Sequence, residues 1–164
     1  MKKMMILVLA ALLPLLSGCG GGGSSGPSVA VVKLSAQGEL PAGRSVAGLG
    51  ATIELPAGVT VKTTATGAVD AGVVTPSGLF GAGNAAMGPV SYTPATATSR
   101  ARLDFAVFST APGGVGVGEY VTINCSLHGV TPVAADFLVS SFTLTDLNYV
   151  ELTMLTASKS VTVY

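Results

Sequence analysis

The sequence predicts an all-β domain, a two-sheet antiparallel β-sandwich of about nine strands, placed behind an export signal and a short tether. Three observations carry this. Gly, Val, Thr, Ala and Ser dominate the later chain, and only 10% of residues are charged. Runs of β-branched residues alternate apolar and polar positions, the period of a strand with one buried side. Pro or Gly interrupts every long stretch, and no window repeats apolar residues at helical spacing over three turns.

Residues 1–18 read as a lipoprotein signal peptide. Lys2 and Lys3 give a positive start, Met4 to Leu16 form an apolar run, and Leu16-Ser17-Gly18-Cys19 fits a lipobox. As a helix the run spans roughly 20 Å, short of the ~30 Å hydrocarbon core, so a permanent membrane span is not expected. Small Ser17 and Gly18 admit a peptidase, and the Cys19 thiol is the expected lipid acceptor. Residues 19–28 then supply that cysteine and a Gly/Ser tether, Gly20 to Ser28, with too little apolar surface to fold. Gly20 in place of Asp resembles the outer-membrane sorting preference of Gram-negative lipoproteins. The expected location is the cell envelope, with membrane attachment through lipid on Cys19.

Residues 29–164 form the domain. The predicted strands, in order, are Val29 to Ser35, Val46 to Leu55, Val59 to Thr64, Val90 to Thr93, Ser99 to Val107, Tyr120 to Leu127, Phe137 to Thr143, Tyr149 to Leu155 and Ser160 to Tyr164. The pattern is clearest in two of them. Ala101, Leu103, Phe105 and Val107 share a face opposite Arg100, Arg102 and Asp104. Val121, Ile123, Cys125 and Leu127 share a face opposite Tyr120, Thr122, Asn124 and Ser126. Turn clusters separate the strands: Leu40-Pro41-Ala42-Gly43, Leu55-Pro56-Ala57-Gly58, Ala111-Pro112-Gly113-Gly114 and Asp146-Leu147-Asn148. The last segment is expected to be an edge or closing strand.

The order of Val31-Val32-Lys33-Leu34, Val46 to Leu55, Arg100 to Phe108, Gly118 to Cys125, Phe137 to Ser140 and Val150-Glu151-Leu152 resembles cohesin domains and related carbohydrate-binding sandwiches. The likeness rests on pattern, with no single diagnostic motif. It implies a jelly-roll-like sandwich without catalytic residues, whose role is non-covalent attachment to a dockerin-like protein or a polysaccharide. It carries over no contact residue.

Composition narrows the function. The chain has 8 basic and 8 acidic side chains, and the basic ones include Lys2 and Lys3 of the signal. No face is expected to be strongly basic, which disfavours nucleic acid as a partner. With Cys19 acylated, Cys125 has no disulfide partner, and a cysteine-based zinc site lacks ligands. Cys125 is expected to be a buried small hydrophobe. His128 is the single histidine and reads as a strand-end residue rather than a base, since no Gly-x-Ser-x-Gly elbow accompanies it. Eight scattered carboxylates read as solvated surface, although any two within about 5–10 Å would serve a glycosidase. A cation held by loop carboxylates and carbonyls stays open. Gly81 to Ala86 matches a dinucleotide fingerprint but lacks the following helix and the acidic partner, so it reads as a mobile loop. No cofactor and no metal ligand are assigned.

The expectation is therefore a non-catalytic envelope module that binds a protein, with polysaccharide as the alternative. Sugar modules stack rings on aromatics. This chain has no Trp, so the candidate ligand face is Tyr120, Tyr92 and Tyr149, with Tyr120 expected to point outward.

Cys19→Ser is expected to leave the protein unprocessed or released from membranes. Metabolic labelling with palmitate checks this: labelled, membrane-bound Cys19→Ser protein would refute the assignment.

Overall fold

The computed structural model describes residues 26–81 and 83–164. The signal peptide, Cys19, the tether up to Ser25, and Ala82 of the Gly81 to Ala86 segment lie outside the described residues.

Among the described residues nine strands form: β1 Val29–Gln37, β2 Gly48–Leu55, β3 Val59–Thr60, β4 Val74–Pro76, β5 Ala85–Thr93, β6 Ala101–Ser109, β7 Glu119–Leu127, β8 Leu138–Thr145 and β9 Thr156–Val163. They make two antiparallel sheets. Sheet I has five strands in the order β3-β7-β1-β9, with β4 also pairing β7; sheet II has four in the order β5-β6-β2-β8. The molecule is thus an antiparallel β-sandwich, as the patterning predicts.

Alternation dictates the packing. Ala30, Val32, Leu34 and Ala36 of β1 face inward beside Val121, Ile123, Cys125 and Leu127 of β7. Sheet II contributes Leu49, Ala51, Ile53 and Leu55 of β2 and Ala101, Leu103, Phe105 and Val107 of β6, and all sixteen side chains are buried. Each large aliphatic among them contributes roughly 1.5–3 kcal/mol by leaving water. The two Leu-Pro-Ala-Gly turns form as expected: Arg44 N–H bonds to Pro41 O, Val59 N–H bonds to Pro56 O, and Gly43 and Gly58 take φ of 76° and 77°.

Several expectations are corrected. The segment Val59 to Thr64 pairs only at Val59 and Thr60 before the chain turns away, and Thr63 makes an isolated bridge to Val69. The three-residue β4 is too short to show alternation and ends on Pro76, which has no N–H to continue a ladder. Ala85 and Ala86, expected in a loop, open β5 opposite Ser109 and Phe108. Tyr149 to Leu155 is not a strand. The Asp146 turn occupies its start, only Glu151 bridges back to Thr145, and the final strand instead begins at Thr156. That strand, β9, is an edge of sheet I, as expected for the C-terminal segment.

Tyr120 is the clearest correction: it is fully buried, not outward-facing. Leu34 pairs with Val121 and Ser35 with Glu119, so Tyr120 is an extra residue in a β-bulge. A bulge shifts the side-chain phase by one, which strict alternation cannot foresee. The ring packs on Phe80 at a centroid distance of 4.8 Å, and its hydroxyl donates to Gly116 O at 2.7 Å. Burial pushes the phenol up to about 12.

β1 begins and β9 finishes at one end of the sandwich, where Ser28 N–H donates to Tyr164 O at 2.6 Å. The tether side and the C-terminus share that end, and the Asp146 turn lies at the other.

Ile123 is 0% exposed at the centre of sheet I. Ile123→Asp is expected to cost several kcal/mol, because a buried carboxylate there has no partner. Thermal melting checks this; wild-type melting would show that the faces of β7 are assigned backwards.

Candidate functional site

A β-sandwich can bind through a sheet edge, a face or its end loops. The edges here are interrupted. The β4 edge ends at Pro76, and the β5 edge contains Gly88-Pro89 at a register shift. The β8 edge bulges at Ser140, and β9 turns Lys159 to the side it shares with Leu34. Prolines, bulges and inward-pointing charges all discourage strand addition.

The faces differ in character. The outer face of sheet I is a polar lattice: Lys33 pairs with Glu119 at 3.1 Å, Ser77 donates to Glu119 at 2.8 Å, and Thr122 donates to Ser77 at 3.0 Å. Burial works against the Glu119 charge, but these partners outweigh it and hold the carboxyl below its ordinary value.

The outer face of sheet II runs from charged to apolar. At the tether end, Arg102 holds Asp104 at 2.7 Å while Thr52 donates to the same carboxylate at 2.6 Å. Burial alone would raise the Asp104 carboxyl; Arg102 and Thr52 outweigh it and lower it. Toward the far end come Ala106, Gly50 and Thr143 in one row, then Phe108, Gly48 and Thr145 in the next. Open space lies above Gly50. Phe108 is 46% exposed. Its ring is bedded between two glycines, since a Cβ would come within 2.8 Å of it at Gly88 and 3.5 Å at Gly48. The result is a flat floor of small residues with one held aromatic and a hydroxyl border.

The three tyrosines assigned to a ligand face do not share one. Tyr120 is in the core. Tyr92 lies beside Leu103 and packs half-buried against the core, where burial, and then neighbouring Cys125, raises its phenol. Tyr149 alone is open, 85% exposed in the turn after β8. Phe108 by sequence resembles the packing phenylalanines of the chain, and its exposure follows from its place on the outward phase of β6, opposite Val107.

Asp146 corrects the picture of uniformly solvated carboxylates. It is 3% exposed, pairs with Arg44, and accepts the N–H groups of Asn148 and Val150 at 2.8 and 2.9 Å. The Asp-x-Asn spacing is a sequence signal for such a turn.

Other candidates are less developed. His128 follows β7 at the surface and shares a 2.9 Å hydrogen bond between Nε2 and Thr60 Oγ1. Cys125 is buried, and burial pushes its thiol up to about 12, far from a reactive thiolate. A small open hollow of about 140 Å³ lies between β4 and β5, lined by Val74, Met87, Val90 and Asp70. Among the described residues, no group of three His, Cys, Asp or Glu side chains could hold a metal ion.

Compared with known proteins, the chain matches no family model, no curated protein and no solved structure.

The lowered Asp104 carboxyl makes a pH prediction. A group depressed in the folded state stabilises above its unfolded pKa, near 4 for Asp, and loses that contribution as pH falls through the folded value. Stability should therefore drop between about pH 5 and pH 2, and Arg102→Leu should flatten part of that drop. Urea midpoints across the range check this; parallel profiles for the two proteins would contradict it.

Proposed function

We propose that this protein is a lipid-anchored, non-catalytic binding module of the bacterial cell envelope that docks a protein partner on the outer face of sheet II. The observation that carries the reading is the flat floor around Gly50, with Phe108 half-exposed and held in place beside it. Interfaces favour rigid aromatic anchors in a mixed setting, surrounded by polar groups that can pair. Interrupted edges direct a partner to the face. The cohesin-like order of strands fits the same reading and points to a dockerin-like partner, while the lipobox at Cys19 supports attachment to the envelope.

Polysaccharide binding is the second reading, favoured by one observation. The Tyr149 ring is open enough to stack on a sugar. A single ring without a second aromatic beside it makes a smaller sugar platform than the face makes for a protein.

Gly50→Arg is the discriminating variant, because space above Gly50 admits the new side chain without displacing the core. The wild-type domain is expected to retain a protein from envelope extracts, and Gly50→Arg to lose it at near-unchanged melting temperature. Affinity electrophoresis in polysaccharide gels is run in parallel. Retention of the same protein by Gly50→Arg, or retardation of the wild type by a polysaccharide alone, would overturn the protein-docking reading.

A further inference from the structure

We infer that the turn from Asp146 to Val150 is the anchor of the docking surface, presenting Tyr149 to an apolar pocket on a protein partner whose rim carries Lys or Arg side chains. This rests on the docking reading and deepens it.

The turn is fixed by one buried carboxylate. Asp146 Oδ1 accepts the N–H groups of Asn148 and Val150, its other oxygen accepts from Arg44, and its own N–H donates to Val150 O at 2.9 Å. Tyr149 N–H donates back to Asp146 O at 3.0 Å. The consequence is a φ of 61° at Tyr149, the one non-glycine among the described residues in the left-handed region. Glycine or asparagine would sit there more easily. Yet the side chain held in this conformation is 85% exposed and gains little from packing on its own domain. Local strain maintained for an unpacked aromatic is characteristic of a ligand-facing position.

The surroundings specify the partner's chemistry. Leu147, Val150 and Met154, in the same connection between β8 and β9, are 49%, 47% and 48% exposed. Glu151 bridges to Thr145 across the turn, and Glu39 follows Gly38, whose α-carbon side faces Met154 O. Both glutamates are exposed and make no ion pair among the described residues, whereas Asp146 is neutralised by Arg44. An apolar centre flanked by two uncompensated carboxylates is complemented by an apolar pocket with a basic rim. Anionic lipid headgroups, or the same end of a second copy, would be repelled.

Area points the same way. Four strands at about 4.8 Å spacing and less than 30 Å long offer a face of roughly 500 Å². A stable interface takes roughly 800 Å² from each partner. The Phe108-Gly48-Thr145 row ends where the Asp146 turn begins, so the turn extends the face.

The test uses the full chain in its own envelope. A photoreactive phenylalanine analogue replaces Asn148 in the turn, Thr143 on the face, or Thr96 at the opposite end. Positions 148 and 143 are expected to crosslink to one and the same protein, and position 96 not to. With that partner purified, Tyr149→Gly is expected to weaken binding at least 30-fold while the melting temperature holds or rises by a few degrees. Glu39→Lys with Glu151→Lys is expected to weaken it about tenfold and to flatten its salt dependence. A protein adduct at 143 without one at 148 overturns the anchor and leaves the docking reading standing. No protein adduct at either position overturns both. A lipid or glycan adduct at 148, unchanged affinity of Tyr149→Gly, or a melting temperature lowered by more than a few degrees each overturns the anchor.

Discussion

The structure depends on one constraint: the apolar rows of β1 and β7 must close against those of β2 and β6 with no polar atom left unpaired between them. Val32, Leu34, Val121 and Ile123 on one side and Ile53, Leu103 and Val107 on the other are at or near zero exposure. Buried side-chain nitrogen and oxygen atoms among the described residues all have hydrogen-bond partners. A sandwich with so few charges has little else to orient its strands, so hydrophobic burial sets the register and hence which side chains reach the outer faces.

That constraint explains both what was legible in the sequence and what was not. The buried rows of β6 and β7 stand out because Leu103, Phe105, Ile123 and Leu127 recur at period two between polar residues. Tyr120 defeated the same rule because a bulge is a property of two paired strands: Glu119 and Val121 meet neighbouring residues of β1, and nothing in the local sequence announces the extra residue between them. The short β3 and β4 are defined by their pairing with β7 rather than by any pattern of their own. The turn at Asp146 was visible as Asp-Leu-Asn, but its burial was not, since the Arg44 that neutralises it arrives from a loop far away in the chain.

The candidate surface follows from the same geometry. Residues excluded from the core by alternation, Ala106, Gly50 and Thr143, become a floor beside Phe108 because three neighbouring strands place small residues side by side. Glycine in a strand is locally unfavourable, since it packs nothing and loses the most backbone freedom. Here Gly48 and Gly88 make room for the Phe108 ring. The left-handed Tyr149 is another departure from local preference at the same end of the molecule. Places where a sequence departs from its own local rules are where binding surfaces are expected, and two such departures meet at the end farthest from the tether.

The period-two burial of the central strands is tested most directly by scanning β6 with single cysteines from Ala101 to Phe108 and measuring maleimide labelling of the folded domain. Cys125 is expected to stay unlabelled. Positions 102, 104, 106 and 108 should label quickly, and 101, 103, 105 and 107 slowly or only on unfolding. Uniform labelling, or protection recurring every three to four residues, would contradict the sandwich and the outer face built on it.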